Sequence, residues 1–187
     1  MSGIFAIEGL DAAGKTTVVT NLKDAGYSVW ATPPEAFKKY RPRFEHSRTD
    51  IRFLYYLTGV AYAGYQAREL SSREPVFFDR YVLTTLAAHE AMGVSPIVLA
   101  AAYPLIRSVP IPRKTFVLTC SEEERVRRMH ERGANDIDIL NMKINNQISE
   151  GYLKWAKRLR HPLMMVDTTF DDAQAVTEQV INLTHEL

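Results

Sequence analysis

The sequence predicts an α/β protein with one domain over residues 1–187, built on a five-stranded parallel sheet with helices on both faces. Three observations carry this prediction. Five short apolar runs punctuate the chain, helical stretches lie between them, and no tight-hairpin dipeptide such as Asn-Gly joins one run to the next. The 187 residues are 46% hydrophobic and 24% charged, enough for one continuous core, and no Pro/Gly/Ser-rich linker divides them.

Taken in order, Ile4-Phe5-Ala6-Ile7 reads as a strand, followed by a glycine-containing loop and a helix beginning at Thr16-Thr17-Val18-Val19. Tyr27-Ser28-Val29-Trp30 is a second strand. Pro33-Pro34 ends it, because neither proline can donate a ladder hydrogen bond, so a loop is expected beyond. Phe53, Leu54, Leu57, Val60, Ala61 and Gly64 recur at steps of three and four, one face of a long helix. Three more strands follow at residues 75–79, 114–119 and 163–167. Ser121 with Glu124 is a capping-box signature opening a charged helix. Leu140, Ile144, Ile148, Tyr152, Trp155 and Leu159 trace one more helical face.

Gly9-Leu10-Asp11-Ala12-Ala13-Gly14-Lys15-Thr16 matches G-x-x-x-x-G-K-[ST], between a predicted strand and a predicted helix. The chemistry explains the residue types. Glycines let backbone N–H groups close around phosphate oxygens, and the helix N-terminus adds a favourable dipole. Lys15 reaches the β- and γ-phosphates of a nucleoside triphosphate, and the Thr16 hydroxyl suits Mg²⁺. Thr17 serves the same loop or merely a local hydrogen bond. In Phe78-Asp79-Arg80-Tyr81 a buried strand delivers a carboxylate and a guanidinium to the edge where the loop opens. Arg80 can fork two hydrogen bonds onto a phosphate, while Asp79 can orient a Mg²⁺ water or the acceptor. Arg125, Arg128 and Arg132 fall at i, i+3 and i+7 on one helix face. They read either as groups closing on transition-state charge, Arg128 and Arg132 foremost, or as part of a solvated face stitched by Glu123 with Arg127 and Glu124 with Arg128 at i,i+4.

Read together, the loop from Phe5 to Thr17, Asp79-Arg80-Tyr81 and Arg132-Gly133 resemble the thymidylate kinase family. The resemblance covers most of the chain. It implies a three-layer P-loop kinase fold with a short lid at about 132–140, ATP as co-substrate and Mg²⁺. Gly9, Asp11, Ala12, Ala13, Gly14, Lys15, Thr16 and Thr17 would cradle the triphosphate, with Thr16 and Asp79 serving the metal. The resemblance also places Asp11 on the acceptor sugar, Arg41 and Arg80 on its phosphate, and Phe53 beneath its base. Tyr55, Tyr56 and Tyr152 are candidates for lining the acceptor pocket or for packing. The arginine with which the family faces the base is absent from Leu57-Thr58-Gly59-Val60, and the family's A-Y-Q becomes Ala87-Ala88-His89, so His89 is a candidate contact to an altered acceptor.

The expected activity is transfer of the γ-phosphoryl group to a nucleoside monophosphate, dTMP or a related pyrimidine deoxynucleotide. A kinase of a nucleoside or small-metabolite hydroxyl, and a non-catalytic nucleotide-binding switch, are the alternatives. With 23 Lys and Arg against 22 Asp and Glu, the net charge of +1 offers no general attraction for nucleic acid or an acidic membrane. Cys120 stands alone, which excludes an intrachain disulfide. Neither a signal-peptide core nor a bilayer-length apolar run is found, so a cytoplasmic protein is expected, and family resemblance adds the expectation of a homodimer.

Overall fold

Alternation along the first strand divides the molecule into two cores. In the computed structural model, which describes residues 2–133 and 144–185, β1 (Gly3–Gly9) sends Ile4 and Ala6 to one face of the sheet and Phe5 and Ile7 to the other. Both sets are buried, as a parallel strand covered on two sides requires. The other strands are β2 (Ser28–Ala31), β3 (Pro75–Asp79), β4 (Lys114–Thr119) and β5 (Leu163–Asp167). Their order is β2-β3-β1-β4-β5, every pair parallel. All five expected strands fall within two residues of their sequence positions at both ends, and β1 extends as far as Gly9.

On one face α1 (Lys15–Asp24) and α9 (Ala173–His185) cover Phe5, Ile7, Phe77, Phe116 and Leu118 with Val18, Val19, Leu22, Val176 and Val180. The other face carries α4 (Thr49–Ser71), α5 (Val82–Ala91), α6 (Pro96–Ser108) and α8 (Asn145–Leu159) over Ala6, Val76, Phe78 and Val117. Helix α7 (Glu122–Arg132) follows β4. The loop expected after Pro33-Pro34 contains two short helices, α2 (Glu35–Lys38) and α3 (Arg41–Glu45). They pack on α4 through aromatic rings, Phe44 stacking on Tyr55 at 4.6 Å.

Helix α4 corrects the periodicity reading. Leu54 is 41% exposed, while Tyr55, Ala63 and Ala67 join Phe53, Leu57, Val60, Ala61 and Gly64 in the buried set. The capping box of α7 is half formed: Ser121 Oγ accepts from Glu124 N at 3.2 Å, but Ser121 N donates to Thr169 Oγ1 at 2.9 Å and Glu124 turns to arginines. Leu140 lies outside the described residues. Helices α5 and α8 touch closely because residue 151 is glycine; a Cβ there would stand 2.8 Å from Ala87 Cβ.

After β1 the chain leaves for α1 on one face, and after β3 it leaves for α5 on the other. Adjacent strands whose connections part in this way open a crevice at their C-terminal ends, between Gly9 and Asp79.

Candidate active site

The crevice is filled from one side by the glycine-containing loop. Ala12 (φ 63°) and Gly14 (φ 85°) adopt left-handed backbone, turning the chain sharply into α1. Gly9 has no room for a side chain, since a Cβ would collide with the carbonyl of Leu118. Lys15 is buried and its Nζ donates to Leu10 O. Burial pulls its pKa down to about 7, and neighbouring Arg80 adds to the effect, against the attraction of Asp11, Asp79 and Glu8.

From the other side β3 delivers Asp79 and Arg80. Arg80 also has left-handed backbone, φ 61°, held by its N–H to Ile7 O at 3.0 Å and by the Thr32 hydroxyl on its carbonyl at 2.9 Å. Its guanidinium pairs with Asp11 Oδ1 at 2.5 Å.

Two cavities meet at these residues. The first, about 500 Å³, is lined by Asp11, Ala12, Gly14, Lys15, Thr16 and Thr17 of the loop, by Arg128 and Arg132 of α7, and by Thr168 and Asp171. The second, about 470 Å³, lies under α4 and α5, and its lining includes Gly9, Arg41, His89 and Tyr152. Asp11, Asp79 and Arg80 border both. Of the loop residues expected on a triphosphate, Gly9 thus faces the second cavity, and Ala13 is buried at 1% exposure and lines neither.

The second cavity gathers most of the residues expected to meet an acceptor. Arg41, from α3, sits at the rim with Nε 3.1 Å from Glu45. Tyr152 is buried, its hydroxyl donating to Gly9 O at 3.1 Å and 2.9 Å from Thr84 Oγ1. Burial raises its pKa, so it stays a neutral phenol. Phe53 is not on the wall. It is wholly buried, with its ring 5.7 Å from that of His89, and the aromatic ring that α4 presents to the cavity is Tyr56. His89 does line the cavity, 4% exposed, and burial lowers its pKa to about 4.

The arginine face of α7 divides. Arg128 and Arg132 line the loop cavity, whereas Arg125 is buried against Met129 Sδ and lines a separate small cavity near Cys120. Arg128 is held in place by Thr168 O at 2.6 Å, Thr168 Oγ1 at 3.0 Å and Glu124 at 2.7 Å. Gly133 ends the helix with φ 75°; positions 134–140 of the expected lid lie outside the described residues.

Three contributors escaped the sequence reading. Glu8, wholly buried at the end of β1, bonds the Thr84 hydroxyl and accepts Thr84 N–H at 3.2 Å, which fixes the start of α5 beside Tyr152. Its pKa is raised by burial. Glu45 and Arg52 form an ion pair at 2.8 Å on the second cavity. The E-G-x-D start of the loop was a signal for Glu8; nothing local marked the other two.

Comparison with known proteins agrees with this architecture. The thymidylate kinase family model matches residues 7–180. UMP-CMP kinase 2, mitochondrial, of Homo sapiens is 33% identical over 137 residues, 70% of this chain but 30% of that protein, so the chain spans under a third of that relative. The thymidylate kinase of Sulfurimonas denitrificans is 23% identical over 185 residues, covering 95% of this chain and 96% of that one. Among solved structures, the thymidylate kinase of Candida albicans superposes with a TM-score of 0.78 at 17% identity, over 99% of this chain and 92% of that one. Deoxyadenosine kinase of M. mycoides gives 0.69 at 19% identity, over 98% and 100%. On a family match of this length, the chain belongs to the thymidylate kinase family of nucleoside monophosphate kinases.

Proposed function

We propose that the chain moves the γ-phosphoryl group of ATP onto the phosphate of a pyrimidine nucleoside monophosphate, dTMP or a related pyrimidine deoxynucleotide. One observation carries the reading: two cavities of similar volume, one walled by the phosphate loop, open on the same Asp11-Asp79-Arg80 junction. Two anionic substrates entering from opposite sides would bring their phosphates together there, where positioning and electrostatics are the main sources of rate.

Lys15 and the loop N–H groups hold the β- and γ-phosphates. Arg80 leaves Asp11 in part to fork onto the acceptor phosphate, with Arg41 at the rim. Arg132 supplies positive charge from the end of α7, and Arg128 fixes the Thr168 wall. Thr16 hydroxyl and Asp79 carboxylate both border the loop cavity, an all-oxygen donor set that fits Mg²⁺. The bound metal would neutralise charge on the β- and γ-oxygens. An acceptor phosphate already carries a nucleophilic oxygen, so no general base is required. The pyrimidine assignment is supported by the names of the human and bacterial relatives.

A coupled ADP-release assay with Mg²⁺ over all natural nucleoside monophosphates, and the nucleosides in parallel, tests this. Acceptor-dependent turnover confined to pyrimidine monophosphates supports it. Turnover with nucleosides alone would move the function to hydroxyl phosphorylation, with Asp79 as proton acceptor.

A further inference from the structure

Two buried polar atoms on the acceptor cavity's wall lack partners, and they are complementary. His89 Nδ1 lies 2.8 Å from Thr85 O. A carbonyl only accepts, so Nδ1 carries the proton of the neutral ring and Nε2 is a bare lone pair. That Nε2 is buried with no hydrogen-bond partner. Arg52, one turn before Tyr56 on α4, gives its Nη2 to Glu45 Oε1 at 2.8 Å, while its Nε–H is likewise buried and unpartnered. The two side chains flank the Tyr56 ring, Arg52 Cζ at 5.9 Å and the His89 ring at 5.4 Å. A buried polar group left without a partner is costly, so each orphaned atom calls for an explanation. Finding a donor and an acceptor on one wall of a ligand cavity points to a ligand that completes both.

We propose that Arg52 and His89 together read the base of the acceptor and select cytosine, whose amino group stands beside an unprotonated ring nitrogen. This rests on the monophosphate-kinase reading above and refines its substrate. Among the described residues, the wall offers Arg52 Nε–H as its buried donor without a partner. Its acceptors are His89 Nε2 and Glu45, whose carboxylate takes Arg41 Nε, Arg52 Nη2 and Tyr56 OH and has about four acceptor positions in all. The 4-amino group of cytosine donates two hydrogens and N3 accepts one, which matches that inventory. Thymine and uracil carry the same O2 carbonyl as cytosine but present only a single N–H, so one of the two wall acceptors would stay buried without a partner.

The experiment compares kcat/KM for dCMP, dUMP and dTMP in the wild-type enzyme, His89→Phe, His89→Gln and Arg52→Lys. The wild type is expected to favour dCMP at least about tenfold, the value of one buried hydrogen bond to a charged or polar group. His89→Phe keeps a ring of similar shape but no acceptor, and should bring the ratio near unity through KM for dCMP, with the dissociation constant for ATP unchanged. His89→Gln restores an acceptor and most of the preference. Arg52→Lys should lower it, having lost Nε. A wild-type preference for dUMP or dTMP, or a ratio unaltered in His89→Phe, overturns the cytosine assignment and leaves the kinase reading standing. Absence of turnover with every monophosphate overturns both.

Discussion

Raising the pH should weaken triphosphate binding through Lys15 alone. In the free protein burial holds its pKa at about 7, so at pH 8 only about a tenth of the side chain is charged. A triphosphate between the loop and Lys15 favours the ammonium strongly, and binding at pH 8 should take up about 0.9 proton. Affinity then falls nearly tenfold per pH unit above 7, about 1.4 kcal/mol each, until the ordinary lysine value is approached. Isothermal titration of a non-hydrolysable ATP analogue with Mg²⁺, in two buffers of different ionisation enthalpy, reads the proton count. Lys15→Met provides the baseline, including protons contributed by the analogue itself. Wild-type affinity that is flat between pH 7 and 9, or equal proton uptake in Lys15→Met, would refute the assignment of this charge to binding.

Three further outcomes follow from packing and titration. Gly151→Ala should overpack the α5–α8 contact by about 1–3 kcal/mol and lower Tm by several degrees in a thermal melt, whereas an unchanged Tm would mean that the helices separate freely. Glu8→Ala strands the Thr84 amide and hydroxyl and should cost about 2–4 kcal/mol in urea denaturation; Glu8→Gln, whose amide can serve both, should stay within about 1 kcal/mol. Burial lowers the pKa of His161 to about 4, so between there and the unfolded value near 6.5 the unfolded chain binds more protons and stability drains away as pH falls. His89 acts in the same sense and Glu8 in the opposite one, so the difference between wild type and His161→Gln isolates the His161 share. Parallel stability curves for the two proteins between pH 7 and 4.5 would contradict it.

Local chemistry made the phosphate loop readable: Gly9 and, behind it, Gly14, Lys15 and Thr16 in consecutive positions need no distant partner to form a recognisable pattern. The strands were readable for a similar reason, because burial on both faces leaves uninterrupted apolar runs such as Val76-Phe77-Phe78. Helix α4 resisted because α3, α5, α6 and the sheet surround it, so a single apolar stripe does not describe it, and Leu54 and Tyr55 exchanged places. Phe53 was drawn to the acceptor by family pattern, yet its ring packs behind His89. Arg52 and Glu45 acquire meaning only when α3 folds against α4. Arg128 is similar, since its partner Thr168 is 40 positions away and only β5 brings it near.

Arg80 gives this enzyme a built-in conflict between robustness and output. A branched-free but full-sized side chain sits where the backbone conformation suits glycine, at a cost of roughly 1–2 kcal/mol. Glycine at 80 would relax the strand end while removing the guanidinium from the junction. Selection for thermal tolerance in the laboratory, applied without an activity screen, should therefore accumulate substitutions at this position that harden the fold and silence it.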